Sequence, residues 1–125
     1  MFDTVEFHAT LPAADLERAK SWYEEKLGLS PVEEDDFGGA WYETGGTRFL
    51  LYLSGFAGTN QATAASFSFE GFDAAMGVLR SRGVTFDDFD TGDFKTVDGV
   101  VALPDGRRAA WFKDSEGNIL NILSG

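Results

Sequence analysis

Twice along this chain an alternating strand pattern runs into a helix pattern opened by Asp and closed by Gly, with further strand patterns behind it. In the first copy Val5, Phe7, Ala9 and Leu11 share one parity and Glu6, His8 and Thr10 the other, the period of a half-buried strand. Asp15 suits an N-cap, Leu16, Ala19, Trp22, Tyr23 and Leu27 recur at helical spacing, and Gly28 suits a left-handed end. Strands are expected at about 30–36, 40–44 and 47–53, the last two joined as a hairpin through Gly45-Gly46. In the second copy Ala65, Phe67 and Phe69 alternate along 64–70, Asp73 opens a helix through Ala74, Ala75, Val78 and Leu79, and Gly83 closes it. Val84-Thr85-Phe86 then reads as a strand, as do about 97–103, 107–113 and 119–123, with turns at Pro104-Asp105-Gly106 and Ser115-Glu116-Gly117-Asn118. The expectation is an α+β fold of two βαβββ modules whose curved mixed sheets surround a cavity. The modules are residues 1–55 and 63–125 of a single domain, with 56–62 as linker.

A chain of 125 residues that is 43% apolar is long enough to bury one core without staples. It has no Cys, which removes disulfides, thiolate nucleophiles and thiolate metal sites. The formal charge of −11 argues against nucleic acid, which demands clustered Lys and Arg, and against anionic membrane surfaces. No apolar run approaches bilayer length, so a cytoplasmic location is expected. The acidity keeps the surface solvated, and it would also attract a cationic ligand. No phosphate-cradling Gly motif and no nucleophile elbow is present.

Strand parity sorts residues by face. If Val5, Phe7 and Ala9 pack under the helix, Glu6, His8 and Thr10 face the cavity. Leu51, Leu53, Phe67, Phe69, Leu120 and Ile122 belong on the helix side. Leu50, Tyr52, Ala64, Ser66, Ser68, Ile119, Asn121 and Leu123 then point inward, unless a bulge inverts them locally.

Two fragments carry a resemblance. Val5-Glu6-Phe7-His8-Ala9-Thr10-Leu11 leads to Asp15 and a helix ended by Gly28. Trp111-Phe112-Lys113-Asp114-Ser115-Glu116-Gly117-Asn118 leads to Ile119-Leu120-Asn121-Ile122-Leu123. The layout resembles the vicinal oxygen chelate superfamily of glyoxalase I, bleomycin-type resistance proteins and extradiol dioxygenases. The resemblance implies the fold above, a homodimer, and in many members a divalent metal held by strand residues. The implied first ligand is a His seven residues before the helix-opening Asp, which matches His8. A second His would open the strand of the second half, where Ala64 stands. The closing Glu falls on Asn121, and an acid on the fourth strand falls nearest Tyr52. One of three or four ligands is therefore present.

A first-row divalent ion needs about three His or carboxylate ligands. His8 is the only His, Asn121 offers a neutral amide oxygen, and Glu6 stands about 7 Å from His8 along a strand. No cofactor is expected, and a divalent metal is not. Three roles stay open for His8: contact with a ligand, a hydrogen bond to a neighbour such as Asn121, or general-base catalysis oriented by Glu6 or Asn121. Trp41 and Trp111 are the better candidates for pocket walls, with Tyr52 and Ser66 beside them. The expected function is reversible capture of an apolar or aromatic, or cationic, small molecule, with His8 and Asn121 directing it. The rival is a metal-dependent lyase, isomerase or dioxygenase of the same superfamily. A structural or regulatory module without a ligand is a third reading.

Overall fold

A computed structural model describes residues 1–125. A short 3-10 turn at Phe2–Thr4 precedes β1 (Ala9–Ala13). The Asp15 carboxylate accepts from the Arg18 amide and caps α1 (Leu16–Trp22), whose coil widens into a π turn over Tyr23–Leu27 and stops at left-handed Gly28. β2 (Glu33–Glu34), β3 (Ala40–Thr44) and β4 (Thr47–Leu53) complete the first unit. Gly45 and Gly46, at φ 57° and 82°, make the two-residue turn between β3 and β4, which only residues free of a Cβ enter without strain. The second unit comprises β5 (Thr63–Phe69), α2 (Phe72–Ser81), β6 (Val101–Ala102), β7 (Arg108–Lys113) and β8 (Ile119–Ser124). Each unit forms one four-stranded mixed sheet, ordered β1-β4-β3-β2 and β5-β8-β7-β6, with the first-named pair of each parallel. The α+β architecture of two βαβββ units is as expected.

Several boundaries differ, each for a physical reason. Residues 5–8 keep their alternation but lie outside β1. The β1–β4 pairing begins at Ala9↔Phe49, and β4 starts only two residues earlier, at the Gly45-Gly46 turn. Val5 and Phe7 consequently do not pack under the helix, and Phe7 is 96% exposed. β2 is short because the Asp35 carboxylate accepts from the Phe37 and Gly39 amides and turns the chain. Asp73 does not cap α2. Gly71 holds that position, and the Asp73 carboxylate pairs with Arg108 at 2.7 Å. Residues 84–86 are not a strand, although Val84 and Phe86 are buried. The expected strand at 97–103 shrinks to Val101–Ala102 because Val97 and Val100 bridge around Asp98 and Gly99. Leu53, at the end of β4, is 62% exposed rather than under the helix.

One core serves both units. Tyr23 on the π turn packs its ring against Tyr42 and Phe49 of the first sheet, while its hydroxyl donates to Asp114 beyond β7 at 2.6 Å. Trp22 stacks with Phe112 of the second sheet at 6.3 Å. The first helix thus lies between the two sheets, and the buried cluster runs from Leu11 and Leu51 through Tyr23 to Phe112, Leu120 and Ile122. Burying a side chain such as Phe112 is worth about 1.5–3 kcal/mol. The Tyr42 hydroxyl sits in this core with no hydrogen-bond partner, and burial pushes its pKa up to about 12. Tyr42→Phe removes that orphan group and should leave stability unchanged or raise it by about 1 kcal/mol in urea denaturation. A loss above that size would reveal a partner for the hydroxyl.

The turn after β7 locks the units together. Asp114 accepts from the Glu116 and Asn118 amides and from Asn118 Nδ2, besides Tyr23. Glu116 accepts from the Ala14 and Asp15 amides and bidentately from Arg18, capping the first helix from across the chain. Gly117 is required by close approach: a Cβ there would stand 2.8 Å from Gly58 Cα, so the chain at Gly58 rests on this turn.

Candidate functional site

Because the helix-side faces of the sheets share one core, the opposite faces point outward. On the first sheet that outward face carries His8, Trp41, Leu50 and Tyr52. His8 lies just before β1 and is exposed; its ring meets Trp41 edge-on with centroids 4.6 Å apart. It makes no hydrogen bond to Asn121, one of the three roles left open for it, because His8 precedes the first sheet and Asn121 lies in the second. Arg48, which parity reasoning left aside, lays its guanidinium over the Trp41 ring at 4.8 Å and pairs with Glu33 at 2.9 Å. Leu50 pairs with Trp41 across the strands, and Tyr52 follows two residues along, partly exposed.

On the second sheet, Ser66, Asn121 and Trp111 occupy one cross-strand row, since Ser66↔Asn121 and Trp111↔Asn121 are register partners. Asn121 is 3% exposed, and its Oδ1 is buried with no hydrogen-bond partner. An unpaired buried amide oxygen costs about 1–3 kcal/mol, so such a group calls for an explanation. Trp111 donates from Nε1 to Thr63 Oγ1 at 2.9 Å and meets Phe89 edge-on. Ala64 is not on this row. The β5–β8 register shifts between Thr63 and Ala65, a bulge that sends Ala64 toward the core and leaves Thr63 to reach Trp111. Thr63, Arg48 and Phe89 are thus site neighbours that the sequence reading missed. Only the register and the 87–100 loop place them.

The two halves of the site therefore lie on separate outward faces of one chain. None of the three main cavities is lined by His8, Trp41, Tyr52, Ser66, Trp111 or Asn121. Within one chain the donor set does not fit a catalytic metal. No three His, Cys, Asp or Glu side chains stand close enough together to hold an ion, and the buried Asn121 supplies a neutral oxygen where a carboxylate is implied. What the faces offer chemically is aromatic surface, one exposed imidazole and one unsatisfied amide oxygen. No helix is long and apolar enough to cross a membrane.

A family model described as the Glyoxalase/Bleomycin resistance protein/Dioxygenase superfamily matches residues 7–122. No curated protein matches the chain. Among solved structures, UcmS2 superposes with a TM-score of 0.75 at 20% identity, covering 96% of this chain and 97% of that one. A superfamily member from Sphaerobacter thermophilus DSM 20745 gives 0.71 at 24% identity over 100% of both chains. A lactoylglutathione lyase from Agrobacterium tumefaciens gives 0.71 at 15% identity, covering 98% and 94%. At these identities the likeness establishes the fold.

Proposed function

The chain belongs to the Glyoxalase/Bleomycin resistance protein/Dioxygenase superfamily, and from that premise we propose that it is a metal-free binding protein for an aromatic or apolar small molecule. The observation that carries this reading is the buried, unpartnered Oδ1 of Asn121 beside Trp111 and Ser66. An N–H or O–H on a flat ligand lying over Trp111 would satisfy that oxygen, with Ser66 as a second hydrogen-bonding group. His8 would supply directional contact from the other half of the site, at the edge of Trp41. The net charge of −11 favours a cation over an anion among such ligands, although at Trp41 a cation competes with Arg48 for the ring face.

The reading includes a homodimer. One chain turns its two outward faces apart, so a ligand touching both Trp41 and Trp111 sits between two copies. The exposed Phe2, Val5 and Phe7, which precede His8 in the chain, provide apolar surface for a partner to cover.

Metal analysis of chain purified without chelator should find well under one ion per chain. Tryptophan fluorescence titrated with crystal violet, an aromatic cation, and with a neutral aromatic of similar size should show saturable quenching. Asn121→Ala should weaken that binding about tenfold, the worth of one hydrogen bond. His8→Ala should weaken binding without lowering the melting temperature. Stoichiometric zinc, nickel, iron or manganese held through His8 would overturn the reading in favour of a metal-dependent lyase, isomerase or dioxygenase. No response to either aromatic would overturn it in favour of a module without a ligand.

A further inference from the structure

We propose that a second binding site, for a small amphiphilic anion such as a carboxylate with an apolar tail, lies between α2 and the C-terminal end of the first helix. A cavity of about 420 Å³ opens there, within the size range of small-molecule sites. Its walls are apolar: Phe67 and Phe69 from β5, Phe112 from β7, Val78 from α2 and Leu29 beyond the first helix. These are helix-side residues, so the cavity lies across the sheet from Ser66 and Asn121 and is independent of the site proposed above.

Two cations line it, Lys26 and Arg82. The chain has ten basic side chains against 21 acids, and Arg18, Lys20, Arg48, Arg107, Arg108 and Lys113 all pair with carboxylates. Lys26, Arg80, Arg82 and Lys95 do not, and of these four only Lys26 and Arg82 line this cavity. Lys26 Nζ donates to the Arg82 carbonyl, and Arg82 Nη1 donates to the Lys26 carbonyl at 3.0 Å. This reciprocal tie caps both helix ends and holds the two charges beside each other. It uses one donor of an ammonium that has three and one of a guanidinium that has five. Spare donors on paired cations beside an apolar cavity complement a carboxylate head with its tail inserted. That such a site survives in so acidic a chain is the charge argument for an anionic rather than a cationic occupant.

The test displaces the fluorescent probe 1-anilinonaphthalene-8-sulfonate from the intact chain with octanoate and with its neutral counterpart, 1-octanol. Octanoate should displace it at a concentration about tenfold lower than octanol does, one charge-assisted hydrogen bond's worth. The double variant K26Q/R82Q should erase that preference while circular dichroism shows an unchanged fold. Ala74 is exposed on α2 and lines the cavity, so Ala74→Phe should fill it and abolish displacement by both compounds. His8→Ala should alter none of this, which separates failure here from failure of the sheet-face reading. Equal action of octanoate and octanol, a preference that survives K26Q/R82Q, or displacement that survives Ala74→Phe would each overturn the proposal. If a second copy covers the cavity, octanoate will not bind and Ala74→Phe will change the sedimentation of the chain; that result overturns it too.

Discussion

Asp114→Ala should cost the folded chain roughly 3–5 kcal/mol, the largest loss expected from any single polar replacement. The carboxylate is buried and accepts four hydrogen bonds, from the Tyr23 hydroxyl, the Glu116 and Asn118 amides and Asn118 Nδ2. Truncation strands all four donors where water reaches poorly, and it cuts the tie from the first helix to the second sheet. Burial, the largest cause of the raised Tyr23 pKa in the parent, persists in the variant and keeps the hydroxyl a protonated donor without an acceptor. A fall of roughly 10–20 °C in melting temperature should follow for a chain of this length. Asp114→Asn, which keeps the shape but turns one acceptor oxygen into a donor, should lose less. Tyr23→Phe should lose only about 1–2 kcal/mol, because Asp114 retains its other three donors. Urea denaturation of the three variants measures the ranking. An Asp114→Ala loss below that of Tyr23→Phe would show that the turn does not join the units.

The parts of this molecule that short-range rules govern were readable in its sequence. Asp15 capping, the stop at Gly28 and the Gly45-Gly46 hairpin each depend on a few neighbouring residues, so β3 and β4 fall where their patterns place them. Alternation put Ser66 and Asn121 on one face, and the register sets them in one row with Trp111. What escaped was decided by partners distant in the chain. Residues 5–8 carry a strand pattern but precede the β1–β4 pairing, which begins at Ala9 near the start of β4, and Phe7 stays exposed. The bulge at Ala64 follows from how β5 meets β8, and no feature of Thr63-Ala64-Ala65 announces it. Glu116 reads as a turn residue, yet it caps a helix that begins a hundred positions earlier. The candidate site was hardest to read because its halves sit on opposite sides of a shared core, an arrangement set by Tyr23, Trp22 and Phe112 rather than by strand parity.

Glu116 gives the fold an acid-labile element. Its carboxylate is held down to about pKa 2, first by the Arg18 hydrogen bond and then by the Asp15 amide and the Ser115 hydroxyl, against the opposing effect of burial. In the unfolded chain the same group titrates near 4.5. A carboxylate with a depressed folded pKa contributes stability that is complete above the unfolded value and disappears as pH falls through the folded one. The window is therefore pH 4.5 down to 2. The contribution is roughly 2–3 kcal/mol at neutral pH once the half-exposed Arg18 is discounted for solvent screening. Glu116→Gln should lose that amount at pH 7 and little at pH 2, so the urea midpoints of variant and parent should converge on acidification. Asp73, Asp88 and Asp105 also titrate low, through Arg108, through Thr96 and the Gly99 amide, and through Arg107 respectively, and they bend both curves alike. The difference between the curves isolates Glu116. Parallel curves across that window would mean that its ionisation is not coupled to folding, and that the two amides and Arg18 at the start of the first helix are served equally well by a neutral side chain.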